Sequence, residues 1–459
     1  MKQLLTKQRL LAALAAAALA LGCGTSDTIP GSPTHDSAAD LADLQEYVAI
    51  GNSLTAGYQS GAWGNPEHVA ASYPNLIARQ LGIAGFKQVS MAGTGLGFSG
   101  VTPVGNMVVN FDSTGTAALS YTTVDPANLA AMAAGAPVDF DFNAPRNLGI
   151  PGITLMHAMG APLGVYAAGN PYAAFYTNAS SSAKTQVQLA AEAGANFITC
   201  WLGNNDVLGY VTSGGTGAIT PSATFQASLS GALGMLANTA AYLAVVNIPA
   251  VTAIPFVTYM NATIIAQLDA LGLPHAVYAV VDGATTALPL GGGNYVLLSA
   301  ATAMSADPTL GASPLNPLPD AYVLDSAETA AAQAAVEDFN ARIAAGVTAL
   351  NAGRDHDALL VDMNAFFNHV VAHGVTYGGE TFTAQFVEGG IFSLDGVHPT
   401  SLGYAIVANE ILETINAGWG FDVELVDPAE FIGVTGGLGS VEIPAELPDF
   451  GSVVELFQH

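Results

Sequence analysis

A chain of 459 residues has room for several domains or for one α/β unit with long insertions, and with 51% hydrophobic and only 10% charged residues it can fill a large core. That balance excludes a disordered chain, which could not bury enough apolar surface to offset its ordering entropy. The formal net charge is −27, and since Lys2, Lys7 and Arg9 sit at the extreme N-terminus, only six of the nine basic residues stand against 36 acids in the rest of the chain. Such a surface repels nucleic acid and anionic lipid and favours solubility outside the cytoplasm, without naming a partner.

Residues 1–22 carry a basic start and an apolar stretch over 10–21, the layout of a secretory signal peptide. Ala20-Leu21-Gly22 before Cys23 resembles a bacterial lipoprotein signal, with Ala20 where Leu is usual and Leu21 where a small residue is usual. Cleavage after Ala18-Leu19-Ala20 is the competing reading and leaves a free thiol. The polar stretch 24–40, rich in Ser, Thr, Pro and Asp, favours acylation at Cys23, because residues 23–44 then form a tethered anchor. The expected location is the cell envelope, anchored to a bacterial membrane, the outer one for preference, or secreted. With Cys23 acylated, Cys200 has no partner for an intramolecular disulfide, and its neighbours Ile198 and Trp201 suggest a buried, inert thiol.

Short apolar runs ending in Gly or Asn, each followed by a helix-like stretch, predict parallel strands at 47–50, 146–150, 197–202, 243–248 and 359–363. Helices are expected over 72–81, 184–193, 223–242 and 326–350. A last helix follows His398, capped by Thr400, with an apolar stripe of Leu402, Ile406, Ile411, Leu412 and Ile415. The most apolar later stretch, 231–246, fits a buried helix leading into a strand better than a membrane span, because Asn238, Thr239 and Pro249 interrupt it. Residues 92–144 and 258–325, rich in Gly and Pro, are too long for ordinary loops and are expected to be insertions that wall a site. Residues 421–459 form an acidic C-terminal tail. The fold class is therefore a three-layer α/β/α sandwich around a parallel central sheet, with one domain over 45–420 and two large insertions.

Four pieces of this chain bear on chemistry. Ser53, in Gly51-Asn52-Ser53-Leu54, stands just past the first strand, where side chains emerge into the crevice that α/β sheets use for ligands. Alone it reads as a turn residue, since Ser bonds its own backbone readily. It becomes a nucleophile only if a base can take its proton and a third group holds that base. "SLDGVHPTSLGY" offers both, for Asp395 and His398 stand three apart in a loop that can turn them together. Gly152, after the second strand, can present its N–H to an oxyanion, and Asn205, in Gly203-Asn204-Asn205-Asp206, can donate a carboxamide N–H to the same oxygen. Singly these are a turn glycine, a capping asparagine and a surface loop.

In this order the four pieces resemble those of the SGNH or GDSL hydrolase family, over most of the chain from Tyr47 to about Ala417. The resemblance implies a flavodoxin-like parallel sheet, Ser53 as nucleophile, Asp395 and His398 as the carboxylate and base of Asp-x-x-His, and an oxyanion hole from Ser53, Gly152 and Asn205. It implies no metal and no organic cofactor. Where the family usually reads Gly-Asp-Ser-Leu, this chain has Asn52, which can still accept a bond from the turn backbone but carries no charge. No Gly-x-Ser-x-Gly elbow surrounds Ser53, since Thr55 stands at its second Gly.

The implied function is a secreted, lipid-anchored serine ester hydrolase, a lipase or esterase, working through an acyl-enzyme. A carbohydrate or peptidoglycan O-acetyl esterase is the alternative within the enzyme class, and an envelope binding lipoprotein that kept only the fold is the alternative outside it. Weaker signals are read conservatively. His369 and His373 could share a helix face but lack the Glu of His-Glu-x-x-His, and fit a solvated helix end better than a metal site. His157 reads as a capped or packed histidine, and Gly93-x-Gly95-x-Gly97 as part of an insertion.

Overall fold

The computed structural model describes residues 41–99, 101–111, 117–134 and 146–432. The expected signal peptide, Cys23 and the tail beyond 432 lie outside the described residues. Five strands form a parallel central sheet: β1 (Tyr47–Gly51), β2 (Asn147–Gly149), β3 (Phe197–Trp201), β4 (Tyr242–Val246) and β5 (Leu359–Val361). All five expected strands are present. They lie in the order β5-β4-β3-β1-β2, so the chain steps one way from β1 to β2 and the other way from β1 to β3. This is the flavodoxin-type order, and its switch point, where ligands bind in open α/β sheets, falls between β1 and β3.

Four of the five strands are apolar at nearly every position because both of their faces are covered, whereas β2 at the sheet edge reads Asn147-Leu148-Gly149. Alternate residues point to opposite sides. Val48, Ile50, Ile198 and Val245 enter one core with Phe225 and Leu229 of α5 (Ser222–Ala237) and Val336 and Phe339 of α7 (Ser326–Leu350). Tyr47, Ala49, Phe197 and Ala244 enter the other, with Leu76 and Ile77 of α1 (Tyr73–Gln80) and Ala408, Ile411 and Leu412 of α9 (Ser401–Trp419). The α/β/α sandwich follows from these two cores.

Helix α1 falls inside its expected range, and α3 (Gln186–Glu192) inside 184–193. Helix α5 ends at Ala237 rather than running on to 242 as expected, because Tyr242 already pairs in the sheet opposite Phe197. Helix α6 (Pro255–Leu271) starts ahead of the second insertion and runs into it, with Pro255 in its first turn and Gly272 at φ 65° closing it. That insertion carries a core of its own, with Met260 and Ile264 packed on Val277, Leu288 and Leu318. The described part of the first insertion holds two antiparallel strand pairs, Gly97–Ser99 with Thr102–Val104 and Met107–Phe111 with Ala117–Tyr121. Beyond α9 the chain stays on the body as far as 432, burying Phe421, Val423 and Val426. Cys200 is a free, buried thiol whose pKa burial pushes up to about 12. No helix among the described residues is long and apolar enough to cross a membrane.

Candidate active site

Register sets the first level of the site. Gly51 of β1 pairs with Gly149 of β2 on one side and Trp201 of β3 on the other, so Ser53, Gly152 and Asn205 lie two, three and four residues past one common rung. All three therefore leave the same end of the sheet, on either side of the switch point.

The turn that carries Ser53 is tied by its own residues. The Asn52 Oδ1 accepts the Leu54 N–H at 3.0 Å, so the asparagine does the turn-closing work a carboxylate could do. Its Nδ2 is buried without a partner among the described residues. A Cβ on Gly51 would sit 2.0 Å from Thr55 Oγ1 and 2.7 Å from the Trp201 carbonyl, so only glycine lets β1 end there. The Gln186 amide donates to Gly51 O at 2.7 Å, and Asn147 Nδ2 to Thr55 O at 2.8 Å, fixing the turn against its neighbours. Neither residue was visible as functional in the sequence, where each reads as an ordinary polar position.

The other half comes from the loop between residues 390 and 400. The His398 Nε2 lies 2.9 Å from Ser53 Oγ, and its Nδ1 lies 3.0 Å from Asp395 Oδ2. Asp395 accepts further hydrogen bonds from the backbone N–H groups of Val397 at 2.9 Å, His398 at 2.8 Å and Gly61 at 2.9 Å. Burial alone would raise its pKa, but the adjacent imidazole and these donors outweigh burial and hold the carboxyl at about 2. The Tyr58 ring packs on the imidazole with centroids 4.6 Å apart, and its hydroxyl donates to Gly61 O at 2.8 Å. Tyr58 and Gly61 went unnoticed in the sequence because their roles depend on contacts across more than 330 residues. Helix α9 begins just beyond, where Thr400 Oγ1 accepts the Gly403 N–H at 3.0 Å.

The two remaining candidates, Gly152 and Asn205, stand on two turns joined to each other. Gly152 has φ 79°, a left-handed conformation that glycine adopts without strain, and its N–H makes no hydrogen bond among the described residues. Asn205 opens α4 (Asn205–Thr212), and its Nδ2 donates to Ile153 O at 2.9 Å, which brings the amide to the Gly152 turn. Behind it, buried Asp206 accepts the Leu155 N–H at 2.8 Å and so ties the two turns a second time. Burial pushes the Asp206 carboxyl up to about 6 against the pull of that N–H. Ser53, Asn205 and His398 line one small cavity of about 40 Å³, together with apolar Leu54, Leu208, Ile254 and Val397. Gly152 stands at an exposed turn and is not part of that lining. Replacing Asn205 with alanine is expected to lower kcat by roughly two to three orders of magnitude while KM changes little, as steady-state kinetics on an activated ester would show.

The weaker candidates fall elsewhere. His157 is bound to Thr154 Oγ1 at 2.7 Å and stacks on Tyr166, away from the cavity. His369 and His373 lie with ring centroids 4.9 Å apart and planes inclined at 51° on the exposed side of α8 (Met363–His373), and no group of three metal-ligating side chains occurs among the described residues. A wide cleft of about 770 Å³, bordered by Tyr259, Tyr295, His373 and Phe386, contains none of the candidate site residues.

His68, which the sequence did not flag, is buried with its Nδ1 unpartnered among the described residues, and burial lowers its pKa to about 4 although Asp395 pulls the other way. The folded chain thus refuses a proton that the unfolded chain takes up near 6.5, so His68 costs stability as the pH falls from 6.5 to about 4. Asp206, with its raised value, works in the opposite sense between about 6 and 3.8. Comparing His68→Gln with the parent isolates the first term: urea unfolding at pH 7 and 4.5 should show the variant losing about 2–3 kcal/mol less over that interval.

A hydroxyl, an imidazole and a carboxylate in line, with the Gly152 N–H unpaired among the described residues on the neighbouring turn, at the switch point of a parallel sheet, have the geometry of a serine hydrolase. The chain belongs to the GDSL-like Lipase/Acylhydrolase family, whose model matches residues 47–411. It is accordingly a hydrolase acting on esters. No curated protein and no solved structure matches it.

Proposed function

We propose that this chain is a carboxylic ester hydrolase, an esterase or lipase, that works through an acyl-enzyme on Ser53. The observation that carries the reading is the unbroken relay from Ser53 Oγ to His398 Nε2 at 2.9 Å and from His398 Nδ1 to Asp395 at 3.0 Å. His398 takes the hydroxyl proton as Ser53 attacks the ester carbonyl, and Asp395 holds the ring and offsets the charge that forms on it. The oxyanion is stabilised by the N–H groups of Ser53 and Gly152 and the amide of Asn205. His398 then returns the proton to the leaving alcohol, and the same base activates the water that releases the acid.

Hydrolysis of p-nitrophenyl esters from acetate to palmitate, with a fluorophosphonate probe for Ser53, tests the function; no turnover and no labelling would leave a binding protein on a hydrolase scaffold. Anchoring at Cys23 in the cell envelope belongs to the same proposal, supported by the signal-like leader and the polar tether. The intact mass of the mature chain checks it, since acyl additions at Cys23 support the anchor and an unmodified terminus near Leu21 overturns it.

A further inference from the structure

We infer that an aliphatic chain of the ester substrate runs past Ser53 into a second, apolar chamber, an inference that rests on the ester-hydrolase reading above. The cavity at Ser53 does not end in solid core. On the far side of four of its wall residues, Leu54, Pro249, Ile254 and Val397, lies a chamber of about 80 Å³ that the same four residues also line. Leu54 directly follows the nucleophile and Val397 directly precedes the base. The partition between the two spaces is thus made by chain neighbours of the reacting groups, and a chain leaving a carbonyl held between Ser53 and His398 meets it at once.

The chamber has no charged side chain in its lining. Phe366, Phe367 and Val370 of α8 form one wall, Ile406 and Val407 of α9 another, and Trp201 at the end of β3 lies between them. Such a lining has nothing to offer a sugar, whose hydroxyls would lose water without gaining partners. It suits methylene groups, each of which gains up to about fourfold in binding when buried. The chamber therefore supplies the length that the cavity at Ser53 lacks, and separates an aliphatic ester from an acetylated glycan as substrate.

The test measures kcat/KM for p-nitrophenyl acyl esters and, separately, for alkyl acetates of increasing length, so that the series showing the dependence tells whether the acyl or the alcohol chain enters. In the parent, the octyl-to-methyl ratio is expected to rise by up to about fourfold per methylene in one series. Val407→Phe should bring that ratio towards one, and Phe366→Ala should move the optimum to longer chains. If Val407→Phe fails to fold, the shift in Phe366→Ala decides alone. A readout free of turnover is quenching of Trp201 fluorescence in Ser53→Ala by a terminally brominated octanoate methyl ester, lost in the Val407→Phe background. Hydrolysis with flat length profiles and no quenching would overturn the chamber while leaving the enzyme intact. Quenching without hydrolysis or labelling of Ser53 would keep the chamber and overturn the catalytic reading.

Discussion

Ser53→Ala is expected to lower kcat/KM for p-nitrophenyl esters by roughly four to six orders of magnitude and to abolish fluorophosphonate labelling, with the fold unchanged. The size follows from the geometry. The Ser53 hydroxyl lies 2.9 Å from the imidazole, and among the described residues its side chain makes no other hydrogen bond. The turn around it is held by Asn52, Gln186 and Asn147, none of which changes. Removing His398 should cost about as much, and removing both little more, because a hydroxyl without its base and a base without its hydroxyl are equally idle. Residual hydrolysis would come from the oxyanion donors acting on bound ester and water. Loss of activity by less than tenfold would remove Ser53 from the mechanism.

Asp395→Asn is expected to lower kcat by about four orders of magnitude and also to reduce stability. Its carboxylate accepts on both oxygens: Oδ1 takes the N–H groups of Val397 and His398, and Oδ2 takes the Gly61 N–H and faces His398 Nδ1. An amide has one acceptor oxygen, so its NH2 must meet donors on one side or the other, and the wrong tautomer of His398 becomes the favoured one. A group held at about 2 in the folded chain contributes stability above its unfolded value of 3.8, and that contribution is lost as the pH falls through about 2. The parent should therefore keep this part of its stability at any pH near neutrality, whereas Asp395→Asn lacks it throughout. Thermal unfolding followed at pH 7 and pH 3, beside the kinetics, checks both effects.

Much of this was legible in the sequence because buried parallel strands need unbroken apolar runs, and the site residues stand next to their ends. All five strands and the Thr400 cap could be read that way. The end of α5 could not, since Asn238-Thr239-Ala240-Ala241 contains no glycine or proline to stop a helix and only the pairing of Tyr242 with Phe197 ends it. The start of α6 was missed although Pro255 and Gly272 mark its two ends, because the prolines around it read as loop. At the site, the strand end before Ser53, the Asp-x-x-His spacing and the family resemblance led to Ser53, Asp395 and His398, which the structure places in hydrogen-bond contact. The positioning roles of Tyr58, Gly61, Asn147 and Gln186 could not be read, for a tyrosine or glutamine announces nothing until the fold sets something against it.

Ser53 and His398 stand 345 residues apart, and Asp395 is held by Gly61 across a gap of 334. Closing so long a loop is slow and comes after the local strands and helices have formed. On the proposed mechanism, a chain being made from its N-terminus thus carries Ser53 from the beginning as an inert hydroxyl, and acquires its chemistry only when residue 398 has emerged and α9 has docked. Synthesis order itself acts as a safety catch, keeping a half-made enzyme from attacking the esters around it.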